Sequence, residues 1–468
     1  MSDVALAPAV VDFRRAFLVN LASSIGGVAT RFLLGLLLAR LLLPAELGLY
    51  AVAATLFGIT QLLRDVGLSA YLQREPELTA QRFSACLGLM ASTTVVATLA
   101  LLVLAEPLAR QFAQPGLAAL LQVMALGLLP SAFGSVMAAL QVRELAAARI
   151  AFVSRIGTLG HAVVALFLSV QGYGALGLAW AQVANVCICG LAYACLPSGR
   201  NWWPSWRGWG EVLRFGLRAL LVNLLNGLNG AFPDLWLGRF GSAHLVGLLG
   251  RAQAVVGLLQ AVFGHALSFG ALPMLARQHA NCQSLEPALR HATALLTGLG
   301  WPLLALTVAH REALLGLLYG PAWVDCTPAV LPLALMTALG LVFAQLNAAL
   351  AAIGRPELAA LPIGVTLAAR LVLGAALFDG SLLSFAWALF GAAAVALPVQ
   401  LWLAARHLDQ SPRALAAALG GSLLATLAVL AVPLVFVPIA WLAAMRWSRH
   451  PLLDEALQLM RRRMTSRK

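Results

Sequence analysis

Apolar residues run along this chain in long blocks, broken by short polar gaps at nearly even spacing. The runs predict helices near 16–42, 46–72, 82–105, 116–141, 150–170 and 174–196. A polar, Trp-rich break, PSGRNWWPSWRGWGE, occupies 197–211. Further runs follow near 212–239, 242–276, 287–310, 326–353, 357–378 and 382–406. A last apolar block covers 414–446 and ends in the amphipathic, basic tail HPLLDEALQLMRRRMTSRK. Runs of about 18 or more apolar residues read as membrane-spanning helices. The period-two alternation of a membrane β-barrel does not occur. The pattern therefore predicts an all-α polytopic membrane protein. Block 414–446 is long for one crossing and short for two, and Pro433 and Pro438 suit a bent pair of short helices. The expected count is 13 or 14 membrane helices.

Composition sharpens this reading. The chain is 61% hydrophobic and only 10% charged, with a mean hydropathy of +0.88, whereas soluble domains carry about 25% charged residues. The net charge of +13 resides almost wholly in arginine, with Lys468 the only lysine. Arginines cluster in alternate gaps: Arg14 and Arg15, Arg74 and Arg82, Arg143 and Arg149, Arg200 and Arg207, Arg277 and Arg290, Arg355, Arg406 and Arg413. The gaps VQGYG (170–174) and FDGS (378–381) have none. The positive-inside rule then explains the basic balance without nucleic acid, and puts the N-terminus and the Trp-rich break in the cytoplasm. The tryptophans of the break suit the headgroup level, and the loop pair Arg64–Asp65 suits a cap on the inner end of the second helix. No cleavable leader is visible ahead of the first run. The six cysteines form no zinc-like pair and read as small apolar filler.

The second half echoes the first at an offset of 199 residues. LLARLLLPAELGLYAVAATLFGITQ (37–61) lies over WLGRFGSAHLVGLLGRAQAVVGLLQ (236–260) without a gap. Arg40, Gly48, Gly58 and Gln61 match Arg239, Gly247, Gly257 and Gln260. Both segments join an odd-numbered helix to the next, so the repeats share one orientation. This predicts two parallel six-helix bundles around a central cavity: a lobe over 1–196, a cytoplasmic linker over 197–211 and a second lobe over 212–410. One or two extra helices over 411–446 and a cytoplasmic tail over 447–468 complete the chain. Parallel repeats are a recurring transporter plan, with the substrate between the halves.

Several of these segments are similar to a known family. LLARLLLPAELGLYAVA resembles the opening hairpin of the polysaccharide transporters, the oligosaccharide-lipid flippases of the multidrug/oligosaccharidyl-lipid/polysaccharide exporter superfamily. EVLRFGLRALLVNLLNGLNGAFPDLWLGRFG resembles their seventh helix and HLVGLLGRAQAVVGLLQAVFGHALSFGALPMLAR their eighth. LLYGPAWVDCTPAVLPLAL and AAIGRPEL resemble signatures around the tenth, and HPLLDEAL a cytoplasmic tail. The resemblance covers nearly the whole chain in order. It departs in the shortened last block and around Leu249 and Gly250. It implies export of a polyprenyl-diphosphate-linked oligosaccharide across the bacterial inner membrane by alternating access, for capsule, exopolysaccharide or O-antigen (lipopolysaccharide) assembly. Membrane lipids, and a polymerase and glycosyltransferases of the same pathway, are the expected partners.

Polar groups inside apolar helices are costly and mark candidate function. Helix one places Asn20, Ser24, Gly27 and Arg31 on one stripe, with Arg31 suited to hold phosphate by bidentate hydrogen bonds. An arginine packed inside one lobe is the competing reading. On helix seven Asn223, Asn226 and Asp234 share an arc with Asn229 at its edge, and Arg239 points elsewhere. Pro233 is expected to break that helix and free a carbonyl. Asparagines that merely join helices are the alternative. Arg251 and His265 share a face of helix eight, and His161, Arg370 and Gln345/Asn347 are further polar groups, each open to a structural explanation. Arg40 and Arg239 suit interfacial anchors. No cofactor motif, P-loop, HExxH or long outer loop points to an enzyme or to ATP. Two rivals remain: a multidrug/cation antiporter with Asp234 as its coupling carboxylate, which would want a second carboxylate in the first lobe, and a membrane glycan polymerase or ligase, which would want a long outer loop.

Overall fold

A computed structural model of the chain describes residues 26–27, 29–75, 78–144, 146–195, 203–206, 209–281, 283–448 and 450–453. The side chains at 258–273, with a few others inside helices, are outside that description. The fold is all-α and spans a membrane many times. Among the described residues ten stretches are long and apolar enough to cross.

The helical residues 29–41 form α1. Then come α2 (Pro44–Asp65), α3 (Leu68–Arg74), α4 (Ala80–Gln111), α5 (Gly116–Arg143), α6 (Ala147–Val170), α7 (Gly174–Ala194), α8 (Trp209–Phe240) and α9 (Ala243–Ala280). They are followed by α10 (Glu286–Ala309), α11 (Arg311–Tyr319), α12 (Thr327–Val342), α13 (Leu346–Ala352), α14 (Ala360–Leu377), α15 (Leu382–His407), α16 (Pro412–Leu430) and α17 (Val437–Trp447). The chain divides into two compact units, Met1–Leu248 and Leu249–Lys468.

The sequence suggested one helix over 46–72, but the structure breaks it. Val66 and Gly67 are left-handed, with φ of 45° and 70°, a conformation glycine tolerates and a β-branched residue resists. The turn is used for packing: a Cβ on Gly67 would collide with the backbone of Gly216 in α8, and one on Gly216 with Val66. A second close approach lies at the other end of α2. There a Cβ on Gly48 would strike Ala243, and one on Gly247 would strike Pro44. Gly48 and Gly247 are the glycines matched by the repeat, and they face each other. The start of α2 is set by Leu43, whose N–H donates to Glu46 Oε2 at 2.9 Å.

The core of the first unit gathers Leu72, Phe83, Cys86, Met90, Met137 and Leu140 from α3, α4 and α5. The opposite faces stay apolar: Val103 is 73% exposed and Val170 72%. In water such faces would be a liability; in a bilayer they are the lipid surface. Residues 203–206 of the Trp-rich segment lie along α4. Ser205 N–H donates to Ser84 O at 2.8 Å, and Trp206 Nε1 to Ser92 Oγ at 3.3 Å. Arg82 pairs with Glu75 at 2.5 Å, and Arg143 donates to the Glu75 carbonyl.

In the second unit, block 414–446 is a bent pair. α16 ends at Leu430, Pro433 opens a 3-10 turn over Leu434–Phe436, and Pro438 stands in the first turn of α17. α17 has 11 residues and is about 16 Å long, against about 30 Å of hydrocarbon in a bilayer. The segment after α17 folds back into a slot of two glycines. A Cβ on Gly298 or Gly421 would press on the His450 ring. His450 Nδ1 accepts from Leu452 N–H at 3.3 Å, and Nε2 meets Ser422 Oγ at 3.2 Å. Ser422 in turn meets Thr297 Oγ1 at 2.8 Å, which donates to Thr293 O at 2.8 Å. With Nδ1 an acceptor and Thr297 donating onward, the chain runs one way: a neutral Nε2–H imidazole donates to Ser422, and Ser422 to Thr297. Burial, with the nearby His291 charge second, pushes the His450 pKa down, in keeping with that neutral ring.

Candidate functional site

α8 positions the polar stripe. It is one continuous helix through Pro233, so the break expected there is absent. Proline removes a donor from the ladder without ending it. α8 is also not among the ten strongly apolar stretches; its three asparagines and Asp234 interrupt the apolar run through its middle. Asn223 and Asn226 are exposed, whereas Asn229 and Asp234 are half-buried.

Asp234 has a partner that local periodicity could not supply. Thr55 Oγ1, from α2, donates to Asp234 Oδ2 at 2.7 Å. Oδ1 is left to accept from a ligand or to carry a proton, and no cation of the described residues lies within ion-pair distance. Two contacts hold α2 and α8 in register here. A Cβ on Gly238 would press on Val52 and one on Gly227 on Leu62. On another face of α8, Phe232, Trp236 and Phe240 form an aromatic row, with ring centroids 5.3 and 4.6 Å apart. Arg239 turns away, its guanidinium 5.3 Å over the Phe240 ring, where an interfacial arginine would sit.

The other candidates are dispersed. Asn20 and Ser24 lie outside the described residues. Arg31 is exposed on α1, with Nε donating to Gly27 O at 3.2 Å. Arg370, in α14, is half-buried. Arg251, at the start of the second unit, lies against the adjacent rings of Tyr319 and Trp323, each 5.6 Å from the guanidinium carbon. Those rings come from the LLYGPAW segment and are 2% and 0% exposed. The left-handed Gly320 (φ 93°) turns the chain between them. The side chain of His265 is outside the described residues.

Arg64 departs most from expectation. It does not cap α2. Its side chain, 4% exposed, enters the first unit and reaches α5, donating to Ser131 Oγ at 2.5 Å, Ser135 Oγ at 2.9 Å and Leu128 O at 3.5 Å. Nε has no hydrogen-bond partner. Asp65 instead accepts from Ser69 Oγ at 2.7 Å.

Among the described residues, no cluster of three or more His, Cys, Asp or Glu side chains could hold a metal. Outside the spans, Asp379 accepts from Ser384 Oγ and Ser381 N–H. These bonds, led by the Ser384 hydroxyl, hold its carboxyl down at about 2. They tie down the turn before α15, whose cap is Ser381, its Oγ accepting from Ser384 N–H at 3.2 Å.

A sequence model of the family described as "Polysaccharide biosynthesis protein" matches residues 37–328. The chain belongs to this family. Similar proteins include the teichuronic acid biosynthesis protein TuaB of Bacillus subtilis (strain 168), 24% identical over 353 residues, covering 74% of this chain and 72% of that one. The succinoglycan biosynthesis transport protein ExoT of Rhizobium meliloti (strain 1021) is 24% identical over 321 residues, 68% of this chain and 64% of ExoT. The fold matches the inward closed lipid II flippase MurJ with a TM-score of 0.73 at 10% identity, over 95% of this chain and 100% of MurJ. An inward-facing multidrug resistance MATE transporter of the MOP superfamily matches with a TM-score of 0.64 at 15% identity, over 83% and 97%. This family member therefore has the fold of the MOP transporters, and the relatives named for an activity are transporters or flippases.

Proposed function

We propose that this protein is a flippase of polyprenyl-diphosphate-linked oligosaccharide in the bacterial inner membrane, with its N-terminus cytoplasmic. It serves capsule, exopolysaccharide or O-antigen assembly, beside the glycosyltransferases and polymerase of that pathway. The observation that carries this reading is the α8 stripe. A lone carboxylate with one free oxygen, and a row of amides, lie within an otherwise apolar membrane fold. Amides and carboxylates are the groups that hydrogen-bond sugar hydroxyls, and a chain of this apolarity keeps them only where water or a polar ligand reaches them.

In this mechanism Asn223, Asn226 and Asp234 bind the sugar, while Arg31 and Arg370 hold the diphosphate through charge-assisted bonds, with Asn20 and Ser24 continuing the polar face of the first helix. Two lobes, 1–196 and 212–410, rock about the linker while the lipid tail stays in the bilayer. Arg251 serves as a fixed structural cation against its two rings. The free oxygen of Asp234 also supports a second reading, a cation antiporter in which that carboxylate takes and releases the coupling ion.

The test uses a deletion strain with a defined surface glycan. Arg31→Ala and Asp234→Ala are expected each to cut glycan export about tenfold or more at unchanged protein level. An interaction with a charged group is worth about 1.5–3 kcal/mol, and 1.4 kcal/mol is tenfold. Normal export in both variants would remove the site assignment. Asp234→Asn separates the readings: it retains the Thr55 bond, so glycan binding persists under the flippase mechanism, whereas ion coupling is abolished under the antiporter one.

A further inference from the structure

A groove of about 540 Å³ runs between α2 and α4, inside the first unit. Its walls are almost wholly apolar, with Leu56, Ile59 and Leu63 on one side and Val96, Ala100 and Leu104 on the other. Along α4 it extends from Leu89 to Leu108, about 28 Å at ~1.5 Å per residue. The polar lining falls toward one end: Thr60 and Arg64 come from the last turns of α2, and Ser92 and Thr93 from the Leu89 end of the groove on α4.

Two features show that this is more than a seam between helices. The first is length. A bilayer's hydrocarbon is about 30 Å thick, so a phospholipid chain, confined to one leaflet, fills only about half of such a track. A chain that follows it from end to end must cross the midplane. The second is Arg64. Its three hydrogen-bond acceptors, two serine hydroxyls and a carbonyl, are all neutral, and the neighbouring Asp65 is bonded to Ser69, so no carboxylate is bonded to the guanidinium. Nε is a spare donor in an enclosed place. A buried donor without a partner costs about 1–3 kcal/mol, more when charged, and an anion at the groove end would satisfy both donor and charge. Long apolar walls with a cation at one end describe an amphipathic ligand.

We propose that this groove takes the polyprenyl chain of a polyprenyl diphosphate as it docks, with the phosphate first at the Arg64 end, before Arg31 and Arg370 take it over, and the chain running along α4 toward Leu108. The assignment rests on the flippase reading above and adds to it a path for the lipid within the first unit.

The experiment uses the full chain in nanodiscs. A long-chain polyprenyl diphosphate with a diazirine near its far end is photolysed and the adduct located by mass spectrometry. Phosphatidylglycerol with a diazirine at the end of one acyl chain, and the same polyprenol without phosphate, serve as comparison probes. The polyprenyl diphosphate is expected to label residues 96–108 at least fivefold more than either. Ala100→Trp, which fills the groove, should lower that label at least fivefold at unchanged melting temperature. If Ala100→Trp does not fold, Val96→Trp, from a site 66% exposed, takes its place. Equal labelling by phosphatidylglycerol would make the groove a bilayer-lipid site and overturn the proposal. Equal labelling by the polyprenol would remove Arg64 as the anion anchor. Flipping of a polyprenyl-diphosphate glycan in proteoliposomes is measured alongside. Flipping without label on α4 overturns the groove and leaves the flippase standing, whereas neither flipping nor label anywhere overturns both.

Discussion

Arg64 and Arg251 are two arginines placed inside the membrane part of one chain, and they are housed in opposite ways. Arg251 has two broad ring faces, Tyr319 and Trp323, each 5.6 Å away, and the rings themselves are sealed from solvent. The cation there completes a packed cluster, where cation–π attraction is strongest for want of water. Arg64 has small neutral acceptors, an enclosed Nε without a partner, and a place in the lining of an open apolar groove. A saturated charge fastens a fold. A half-saturated one leaves room for a partner.

The comparison is open to direct attack. The largest effect should come from emptying the Arg251 housing. Trp323→Ala removes a fully buried ring and is expected to cost about 3–5 kcal/mol, read as a large fall in melting temperature in detergent. Trp323→Phe should recover much of it. If Trp323→Ala melts like the parent, Arg251 is not held by that ring. The next effect strikes the other housing. Ser131→Ala leaves the Arg64 guanidinium with one neutral acceptor fewer and should cost about 1.5–3 kcal/mol. Adding Arg64→Met to Ser131→Ala should restore part of the loss, because removing an ill-compensated buried charge is often neutral or stabilising. A further loss instead would mean that Arg64 is fastened as firmly as Arg251.

The smallest effect concerns a third buried polar group, one that is fully satisfied yet titratable. His450 is neutral in the fold, and its pKa is lowered by burial and then by His291. Above the ordinary histidine value of about 6.5 its contribution is complete. As pH falls through that value, the unfolded chain takes up a proton before the folded one, so stability declines until the depressed folded pKa is passed. The groups facing the ring are Ser422, Thr297, Leu452 N–H and His291. Melting curves between pH 7.5 and 5.5 should show this slope in the parent and lose it in His450→Phe, which keeps a ring for the glycine slot.

Much of the fold was legible because membrane helices announce themselves by length. The helix ends at 143, 170, 240 and 309 fall within a few residues of the pattern, and the two prolines marked the bend after Leu430. The turn at Val66 was hidden by its composition, since valine gives no hint of a left-handed conformation and the neighbouring Gly67 stands in an otherwise apolar run. At the candidate site, Asp234 and its asparagines were visible as a stripe, but the hydroxyl that holds Asp234 comes from Thr55, in a helix far away in sequence. Arg64 was misjudged for a related reason. Next to Asp65 at a helix end it looks like a cap, and only the tertiary position of Ser131 and Ser135 draws it inward. The YGPAW segment stands out in the sequence as a signature, and its physical content, two adjacent rings on either side of a glycine that together face Arg251, needs three dimensions.

The paired approach of Gly48 and Gly247 carries a consequence for how this chain can change. The two positions are the same site in two copies of one repeat, and each copy's missing side chain makes room for the backbone beside the other. Each residue thus stands opposite its counterpart at the 199-residue offset. A methyl group added to either one blocks the same crossing, so relief cannot come from mutating its counterpart, which is already as small as a residue can be. In a scan of all substitutions the pair should stand out as two coincident minima of tolerance, 199 positions apart.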